Sequence, residues 1–293
     1  MGQWAICDYE GSDYPTAFWG EERTYEDRVE RAALRALLPR GGRRLLEIGA
    51  GFGRLADLYA GYQQVVLLDY SRSMLRQAQE RWGHDPRFRF VVGDLYHLPF
   101  VPGLFDVVTM VRVIHHVQAV PAALEQVQAV LTPGGKFILE FANKRHLKAI
   151  GRWLLRRQSW NPFLPEPYEF VPLNYDFHPR WMADRLREAG LTIEARRTVS
   201  HFRLPFLKRR VPLPLLVAMD RLVQPTGRWW QLSPSVFLRC RASWEKPLAP
   251  TGAFFRCPAC GETALREEPD ALFCPGCGHR WPRRDGIYDF KQA

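Results

Sequence analysis

The stretch LLEIGAGFGRLADLYA, residues 45–60, joins a short apolar run to glycines at positions 49, 51 and 53. Glycine permits positive φ angles and lets a ligand approach the main chain, so this stretch predicts a strand, a binding turn and the start of a helix. Dinucleotide-binding turns place a third glycine where this chain has Arg54, and phosphate-binding P-loops need a Gly-Lys-Ser/Thr sequence that is missing here. The pattern is instead Glu-x-Gly-x-Gly-x-Gly, which neither ligand class explains.

Apolar runs with β-type spacing alternate with helical patterns on both sides of this turn. The runs are apolar on both faces, which is typical of strands covered by helices from both sides. We therefore predict an α/β fold with a doubly wound, mostly parallel sheet. The predicted strands span 44–50, 64–70, 87–94, 105–111 and 136–142, and the predicted helices span 23–39, 53–61, 72–82 and 121–131.

The regular alternation ends after residue 142. Residues 143–160 have the spacing of a basic amphipathic helix, with Arg145, Lys148, Arg152 and Arg156 on one face. We treat residues 143–232 as lid and cap insertions within a first domain spanning 1–246. Further predictions are a helix at 178–190, strands at 191–199 and 233–243, an inserted helical cap at 205–227 and a linker at 245–252.

The net charge of +10 in this 293-residue chain is unevenly distributed. Residues 1–140 carry 15 basic and 17 acidic side chains, whereas residues 141–251 carry 20 basic and eight acidic ones. This middle segment is either ordinary solvated surface or a face toward an anionic substrate, nucleic acid or membrane. The sequence has neither an apolar run long enough to span a membrane nor a signal-peptide pattern, so we expect a cytoplasmic protein with peripheral membrane contact left open.

The strand-and-loop pattern resembles the class I methyltransferases that depend on S-adenosylmethionine (SAM), over roughly residues 20–242. The motif LLEIGAGFG, Asp69 after the second strand, VVGDLYHLPF at 91–100 and LTPGGKFILEF at 131–141 occur in the order found in that family. The resemblance implies a Rossmann-like, seven-stranded sheet whose antiparallel strand is residues 234–242. Among these enzymes, the catalytic half most resembles the ubiquinone and menaquinone methyltransferases.

The same resemblance implies a cofactor site. Asp69 would accept both ribose hydroxyls, Asp94 would take the adenine amino group with Leu95 beside the ring, and Glu47 would favour the cationic end of SAM. The alternative is that Asp69 and Asp94 only cap helices. The complete predicted cofactor set is Tyr25, Glu47, Gly49, Gly51, Gly53, Asp69, Tyr70, Met74, Asp94, Leu95 and Arg112.

His115 and His116 follow the fourth predicted strand, at the edge where open α/β sheets bind ligands. Either is a candidate general base, because imidazole titrates near neutrality, and the alternative for each is a hydrogen-bonded wall residue. A base is needed only if the methyl acceptor loses a proton. Aromatic and histidine side chains that could line an acceptor pocket, or belong to the core, are Tyr14, Trp19, Tyr25, Tyr175 and His178.

Two Cys-x-x-Cys pairs, Cys257 with Cys260 and Cys274 with Cys277, lie near the C-terminus. This arrangement is typical of a closed tetrahedral Zn²⁺ site, so we predict a structural zinc ion in a small domain at 252–293. The segment also resembles the zinc-ribbon activator proteins that partner tRNA, ribosomal RNA and protein methyltransferases. Free or disulfide-bonded cysteines are the alternative.

Three functional hypotheses follow. The first is methyl transfer from SAM to a small or lipophilic acceptor, with residues 143–232 as a lid. The second is methylation of RNA or protein, with the basic segment and the ribbon docking the substrate or a protein partner. The chain reads VRVIHH at 111–116, where amino-group methyltransferases of adenine or glutamine carry an Asn/Asp-Pro-Pro-aromatic motif. The third is a non-catalytic SAM-binding protein at a membrane surface, with 143–160 as an interfacial helix.

Overall fold

A computed structural model of the protein describes residues 4–12 and 23–291. The helices are α1 (Thr24–Leu37), α2 (Arg72–Trp82), α3 (Val120–Val130), α4 (Leu147–Leu154), α5 (Pro179–Glu188), α6 (Pro205–Arg210) and α7 (Leu213–Val223). The strands of the first half are β1 (Gly42–Ile48), β2 (Tyr62–Asp69), β3 (Phe88–Val92), β4 (Phe105–Met110) and β5 (Leu131–Ala142). The remaining strands are β6 (Tyr168–Val171), β7 (Asn174–Asp176), β8 (Leu191–Val199), β9 (Ser235–Ala242), β10 (Arg266–Glu267), β11 (Ala271–Phe273), β12 (Arg280–Arg284) and β13 (Ile287–Asp289).

The main sheet has the strand order β10-β11-β12-β13-β3-β2-β1-β4-β5-β9-β8. The pairs from β3 through β5 are parallel, whereas β9 runs antiparallel to β5 and to β8. The antiparallel strand implied at 234–242 is therefore present. Seven strands of this sheet, β3-β2-β1-β4-β5-β9-β8, come from the predicted first domain, and the C-terminal segment adds four more at the edge that β3 would otherwise leave open.

Helices cover both faces of this sheet, as a doubly wound fold requires. One face buries α3 and α5 through Leu124, Val127 and Met182, and the aromatic residues of the C-terminal segment join the same core. The opposite face buries α1 and α2 through Leu34 and Leu75. The described residues contain no helix with the length and apolar character needed to cross a membrane.

Two predicted helices are shorter than the sequence pattern suggested. The helix expected at 53–61 is only a 3₁₀ turn at Ala56–Tyr59, because turns carry the chain from the glycine loop back toward β2. The amphipathic helix expected at 143–160 is limited to α4, which ends where Arg156 adopts a left-handed φ of 54°.

The predicted linker at 245–252 is tied to the sheet domain. The amide of Ala249 donates to the carbonyl of Gly103 over 3.0 Å, and Lys246 bonds the carbonyl of Gln128. A Cβ atom on Gly103 would lie 2.2 Å from the carbonyl oxygen of Pro247, so glycine is what allows this close approach. The predicted linker is thereby packed against the sheet domain.

Candidate functional site

The glycine loop lies at the carboxyl end of β1, bonded to the end of β2 through the amide of Gly49 and the carbonyl of Leu68 at 2.8 Å. Gly49 has a φ of 70°, and a Cβ there would lie 2.1 Å from Val113. Gly51 has a φ of 53° and faces open space, since no atom lies within 4 Å of the position a Cβ would take. The main chain at Gly51 is therefore bare toward the cavity, as close contact with a ligand requires.

Gly53 packs against a helix, unlike the other two glycines of the loop. Its φ is 71°, and its Cβ position lies 3.0 Å from the Trp82 ring, whose Nε1 donates to the Gly53 carbonyl over 3.1 Å. This packing fastens the loop to α2. Gly53 therefore packs the glycine loop against α2. It is not among the described residues that line the neighbouring cavity.

A cavity of about 140 Å³ opens at the carboxyl ends of β1, β2, β3 and β4. Most of the residues that the sequence assigned to a cofactor line it. They are Glu47, Gly49, Gly51, Asp69, Tyr70, Met74, Asp94, Leu95 and Arg112, together with the candidate base His116. Residues from strands far apart in the sequence are thus brought to one place.

The two cavity aspartates also bond the protein's own main chain. Asp69 accepts from the amides of Gly51 at 2.7 Å and Ser71 at 2.8 Å, and burial raises its pKa. Asp94 accepts from the amide of Tyr96 at 2.8 Å, capping a 3₁₀ turn, and lies 2.7 Å from His97 Nδ1. Asp94 therefore has the capping role considered in the sequence analysis, whereas the N-cap of α2 is Ser71 and not Asp69, and both carboxylates line the cavity as well.

Glu47, near the end of β1, also lines the cavity. It is 3% exposed, and burial raises its pKa to about 8 despite the nearby Arg54. Its Oε2 atom has no hydrogen-bond partner among the residues that the structure describes. A cation bound beside this buried carboxyl group would favour its ionised form and give the unpaired oxygen a partner, which fits the positively charged end of SAM.

A buried ion network holds the rear of the cavity and includes a residue that the sequence analysis missed, Glu30. Its Oε1 accepts from Arg112 Nε at 2.8 Å and its Oε2 from Arg54 Nη2 at 3.1 Å. Burial would raise the pKa of Glu30, but Arg112 and Arg54 hold it below its usual value. In the sequence, the only indication that Glu30 is buried was its position on the apolar face of α1, beside Val29 and Ala33.

The N-terminal segment also contributes to the cavity, through Ile6, Cys7 and Tyr9. Glu10 anchors this segment, because its Oε2 accepts from the amide of Arg72 at 2.7 Å at the start of α2. Amides at a helix start need acceptors, but the sequence does not reveal that one is supplied from 62 residues away.

His116 has both ring nitrogens engaged. Nδ1 lies 2.9 Å from the carbonyl of Leu173, which can only accept, so Nδ1 carries the proton and the neutral ring leaves Nε2 as an acceptor. Tyr9 donates its hydroxyl to Nε2 over 3.0 Å. Burial lowers the pKa of His116, so the ring is neutral at physiological pH.

His115 lies apart from the lining residues. Its Nδ1 is buried without a hydrogen-bond partner in the described chain, and burial lowers its pKa well below the usual value. A base must reach the proton that it removes. The structure therefore favours His116 over His115 for any proton transfer in the cavity.

Tyr25 was assigned to the cofactor site, and the structure places it elsewhere. Its buried hydroxyl donates to Asp220 Oδ2 over 2.7 Å and accepts from the amide of Phe202 at 3.0 Å, which joins α1 to α7. Tyr175 stacks on Phe177, and His178 caps α5, so both belong to the packing around the lid. Tyr14 and Trp19 lie outside the described residues.

The four cysteines of the C-terminal segment converge, with their Sγ atoms within 4.8 Å of one another. Cys257 and Cys277 are 3.8 Å apart, and Cys260 and Cys274 are 3.4 Å apart. Four thiolates around a tetrahedral Zn²⁺ ion, each at about 2.3 Å, would lie about 3.8 Å from one another. The arrangement fits the zinc ion that the sequence predicts.

The chain is similar in sequence to known methyltransferases. A family model described as a methyltransferase domain matches residues 46–139. The chain is 37% identical over 162 residues to a ubiquinone/menaquinone biosynthesis C-methyltransferase, UbiE, of Dinoroseobacter shibae, covering 53% of this chain and 57% of the relative. It is 30% identical over 211 residues to a demethylmenaquinone methyltransferase of Clavibacter sepedonicus, covering 67% of this chain and 80% of the relative.

Solved structures share the fold at lower identity. A SAM-dependent methyltransferase from Mesorhizobium loti superimposes with a TM-score of 0.52 at 23% identity, over 74% of this chain and 99% of that chain. A chain from a Haloferax volcanii complex between the Trm112 methyltransferase activator and a methyltransferase gives a TM-score of 0.55 at 18% identity, over 81% of this chain and 100% of that chain. These likenesses agree with the Rossmann-like sheet described above.

Proposed function

The chain belongs to the family of SAM-dependent methyltransferases that contains the demethylmenaquinone methyltransferases, and on this premise we propose that it methylates a small lipophilic acceptor of the quinol type. The observation that carries the proposal is the cavity at the glycine loop, which is lined by Asp69, Asp94 and the unpaired oxygen of Glu47. The named activities of the two relatives support the acceptor class.

Within this proposal, the cavity residues hold SAM by their hydrogen-bonding capacity and charge. Bound SAM supplies an electrophilic methyl group on a sulfonium cation. Asp69 and Asp94 have the acceptor oxygens that the ribose hydroxyls and the adenine amino group need, and Glu47 attracts the cationic end. The bare main chain at Gly51 allows close approach.

The acceptor side of the cavity is apolar. Ile6, Val113 and Val117 line it, which suits a ring that must be held close to the methyl group and away from water. His116 Nε2 is the group placed to accept a proton from the acceptor after Tyr9 moves, and Nδ1 stays bonded to Leu173. His116 is therefore the proposed base.

We also propose that the enzyme meets its acceptor at an anionic membrane surface. In the described chain, fourteen of the seventeen exposed large apolar residues lie between 147 and 230, so the apolar exposure is concentrated in the lid region. That region is also the basic part of the chain. Apolar and cationic side chains together favour interfacial binding. The residues are Leu147, Leu154, Leu155, Phe163, Leu164, Phe170, Val171, Leu204, Phe206, Leu215, Met219, Leu222, Trp229 and Trp230.

For the C-terminal segment, we propose a zinc ribbon built into residues 252–293 beside a methyltransferase domain at 1–246. Its last strand, β13, pairs in parallel with β3 through Ile287 and Phe90. This pairing supports a stabilising role within the same chain. A complete set of four thiolates leaves no open metal position, which supports a structural ion.

Transfer of a radioactive methyl group from SAM tests the function. We expect incorporation into a demethylmenaquinol analogue extracted into organic solvent, with little into bulk tRNA or ribosomal RNA. Incorporation into RNA that is lost at moderate salt would instead support the second hypothesis, in which the basic segment docks nucleic acid. SAM binding without transfer to any acceptor pool would support the non-catalytic hypothesis.

A further inference from the structure

A second cavity, of about 280 Å³, lies between the start of α5 and the strands β5, β8 and β9. It shares no lining residue with the cofactor cavity, as the two sets of described lining residues show. Its charged lining is entirely cationic. The arginines that line it are Arg145, Arg180, Arg196 and Arg228, and His178 accompanies them.

These four arginines differ from the two arginines on β9 nearby. In residues 4–12 and 23–291, none of the four forms an ion pair. On the neighbouring strands, by contrast, Arg239 and Arg241 pair with Glu194 at 3.3 Å and 3.1 Å. The two arginines of β9 thus have a carboxylate partner that the four cavity arginines lack in the part of the chain that the structure describes.

Among the four, Arg145 has a buried Nε atom with no hydrogen-bond partner in the described chain. A buried guanidinium N–H that lacks an acceptor costs free energy, and several like charges around one cavity add repulsion. A bound anion removes both costs at once. The start of α5 lies at the same cavity and adds the partial positive charge of a helix N-terminus.

We propose that this cavity binds a phosphate group. Planar guanidinium groups match phosphate oxygens in pairs, which makes arginine the preferred residue for recognising them. Trp229 lines the cavity and is 65% exposed, so the cavity opens beside the exposed apolar residues of the lid. The phosphate can belong to a soluble molecule or to a lipid headgroup at a membrane surface.

Calorimetric titration with inorganic phosphate tests the site. We expect saturable binding that weakens at least tenfold in the double variant Arg145→Gln/Arg180→Gln, since a hydrogen bond to a charged group contributes about 1.5–3 kcal/mol. The matched control is Arg221→Gln, an exposed arginine on α7. Absence of binding by the native protein, or equal affinity in the double variant, would overturn the proposal.

Two further measurements separate this site from the cofactor cavity and identify the source of the phosphate. Binding of S-adenosylhomocysteine should be unchanged in the double variant, which shows that the protein is folded and separates this site from the proposed function. Co-sedimentation with phosphatidylcholine vesicles doped with phosphatidic acid identifies the source. A loss of vesicle binding in the double variant assigns the site to a lipid headgroup, and unchanged vesicle binding with lost phosphate binding assigns it to a soluble phosphate compound.

Discussion

At the scale of single residues, the cofactor cavity depends on carboxylates that also bond the chain itself. Asp69 holds two main-chain amides, those of Gly51 and Ser71, and thereby shapes the glycine loop. Burial raises the pKa of Asp69 because it disfavours the charged carboxylate. A ligand that donates hydrogen bonds to this carboxylate would offset the cost of burying it. Asp69 is the residue whose replacement tests the cofactor assignment most directly.

We expect Asp69→Asn to weaken S-adenosylhomocysteine binding about 10–100-fold, because a hydrogen bond to a charged acceptor contributes about 1.5–3 kcal/mol. Isothermal titration calorimetry measures the change. Glu80→Gln, an exposed carboxylate on α2, is the matched control and should keep the native affinity. An unchanged dissociation constant in a folded Asp69→Asn protein would remove the ribose assignment.

The proposed role of His116 as a base predicts how activity depends on pH. A base works when it is unprotonated, and burial lowers the pKa of His116, so activity should persist as pH falls through about 6.5 and decline only below it. We expect His116→Gln to lower kcat/KM by about 10²–10⁴-fold and to abolish this acidic limb. The pH profile of kcat/KM for both proteins is the measurement, and an acidic limb that survives in the variant would show that another group titrates.

At the scale of elements, α1 and α7 are joined by a buried polar cluster rather than by apolar packing alone. Asp220 accepts from Tyr25, from the amide of His201 at 2.8 Å and from Gln224 at 3.0 Å. Burial opposes ionisation of Asp220, but hydrogen bonds from the His201 ring, Tyr25 and Gln224 keep its pKa below the usual value. The cap helix α7 is thereby fixed to the sheet domain at one buried carboxylate.

Tyr25→Phe removes one hydroxyl from this cluster. We expect it to lower the free energy of unfolding by about 1–3 kcal/mol, since Phe202 loses the acceptor of its amide, and to leave S-adenosylhomocysteine affinity unchanged. Urea unfolding and calorimetry measure the two effects. Tyr168→Phe is the control, because the Tyr168 hydroxyl has no hydrogen-bond partner in the described residues, and a weakened cofactor affinity in Tyr25→Phe would restore the original assignment.

At the scale of the whole molecule, the C-terminal segment completes the sheet and its core. Phe255, Trp281 and Phe290 are buried in the same cluster as Val91 and Phe105 of the sheet domain. Trp281 also donates its indole N–H to the Sγ of Cys257 over 3.4 Å, which links the aromatic core to the cysteine cluster. Metal binding and folding of the sheet edge should therefore be coupled.

Cys274→Ser tests this coupling. We expect the zinc content, measured by elemental mass spectrometry, to fall from about one ion per chain, and the single melting transition of the protein to move to lower temperature. Cys7→Ser, a cysteine outside the cluster, should keep its zinc. A separate early transition that leaves the main one unmoved would show instead that the segment folds as an independent unit.

The sequence by itself determined the local features of this protein, which depend only on residues close together in the chain. Periodicity located β8 and α2 at their observed bounds, alternate glycines marked the turn where positive φ is required, and spacing identified the four cysteines. These features are local because backbone conformation and side-chain alternation repeat within a few residues.

Only the tertiary structure decided which distant residues meet. The pairing of β13 with β3, the burial of Glu30 between two arginines and the convergence of four unpaired arginines at one cavity all join segments far apart in the chain. Such contacts are set by how helices and strands pack across the sheet, which no short stretch of sequence specifies. The same reason explains why Tyr25 lies outside the cavity: Asp220, the partner that its hydroxyl bonds, lies 195 residues away in the sequence.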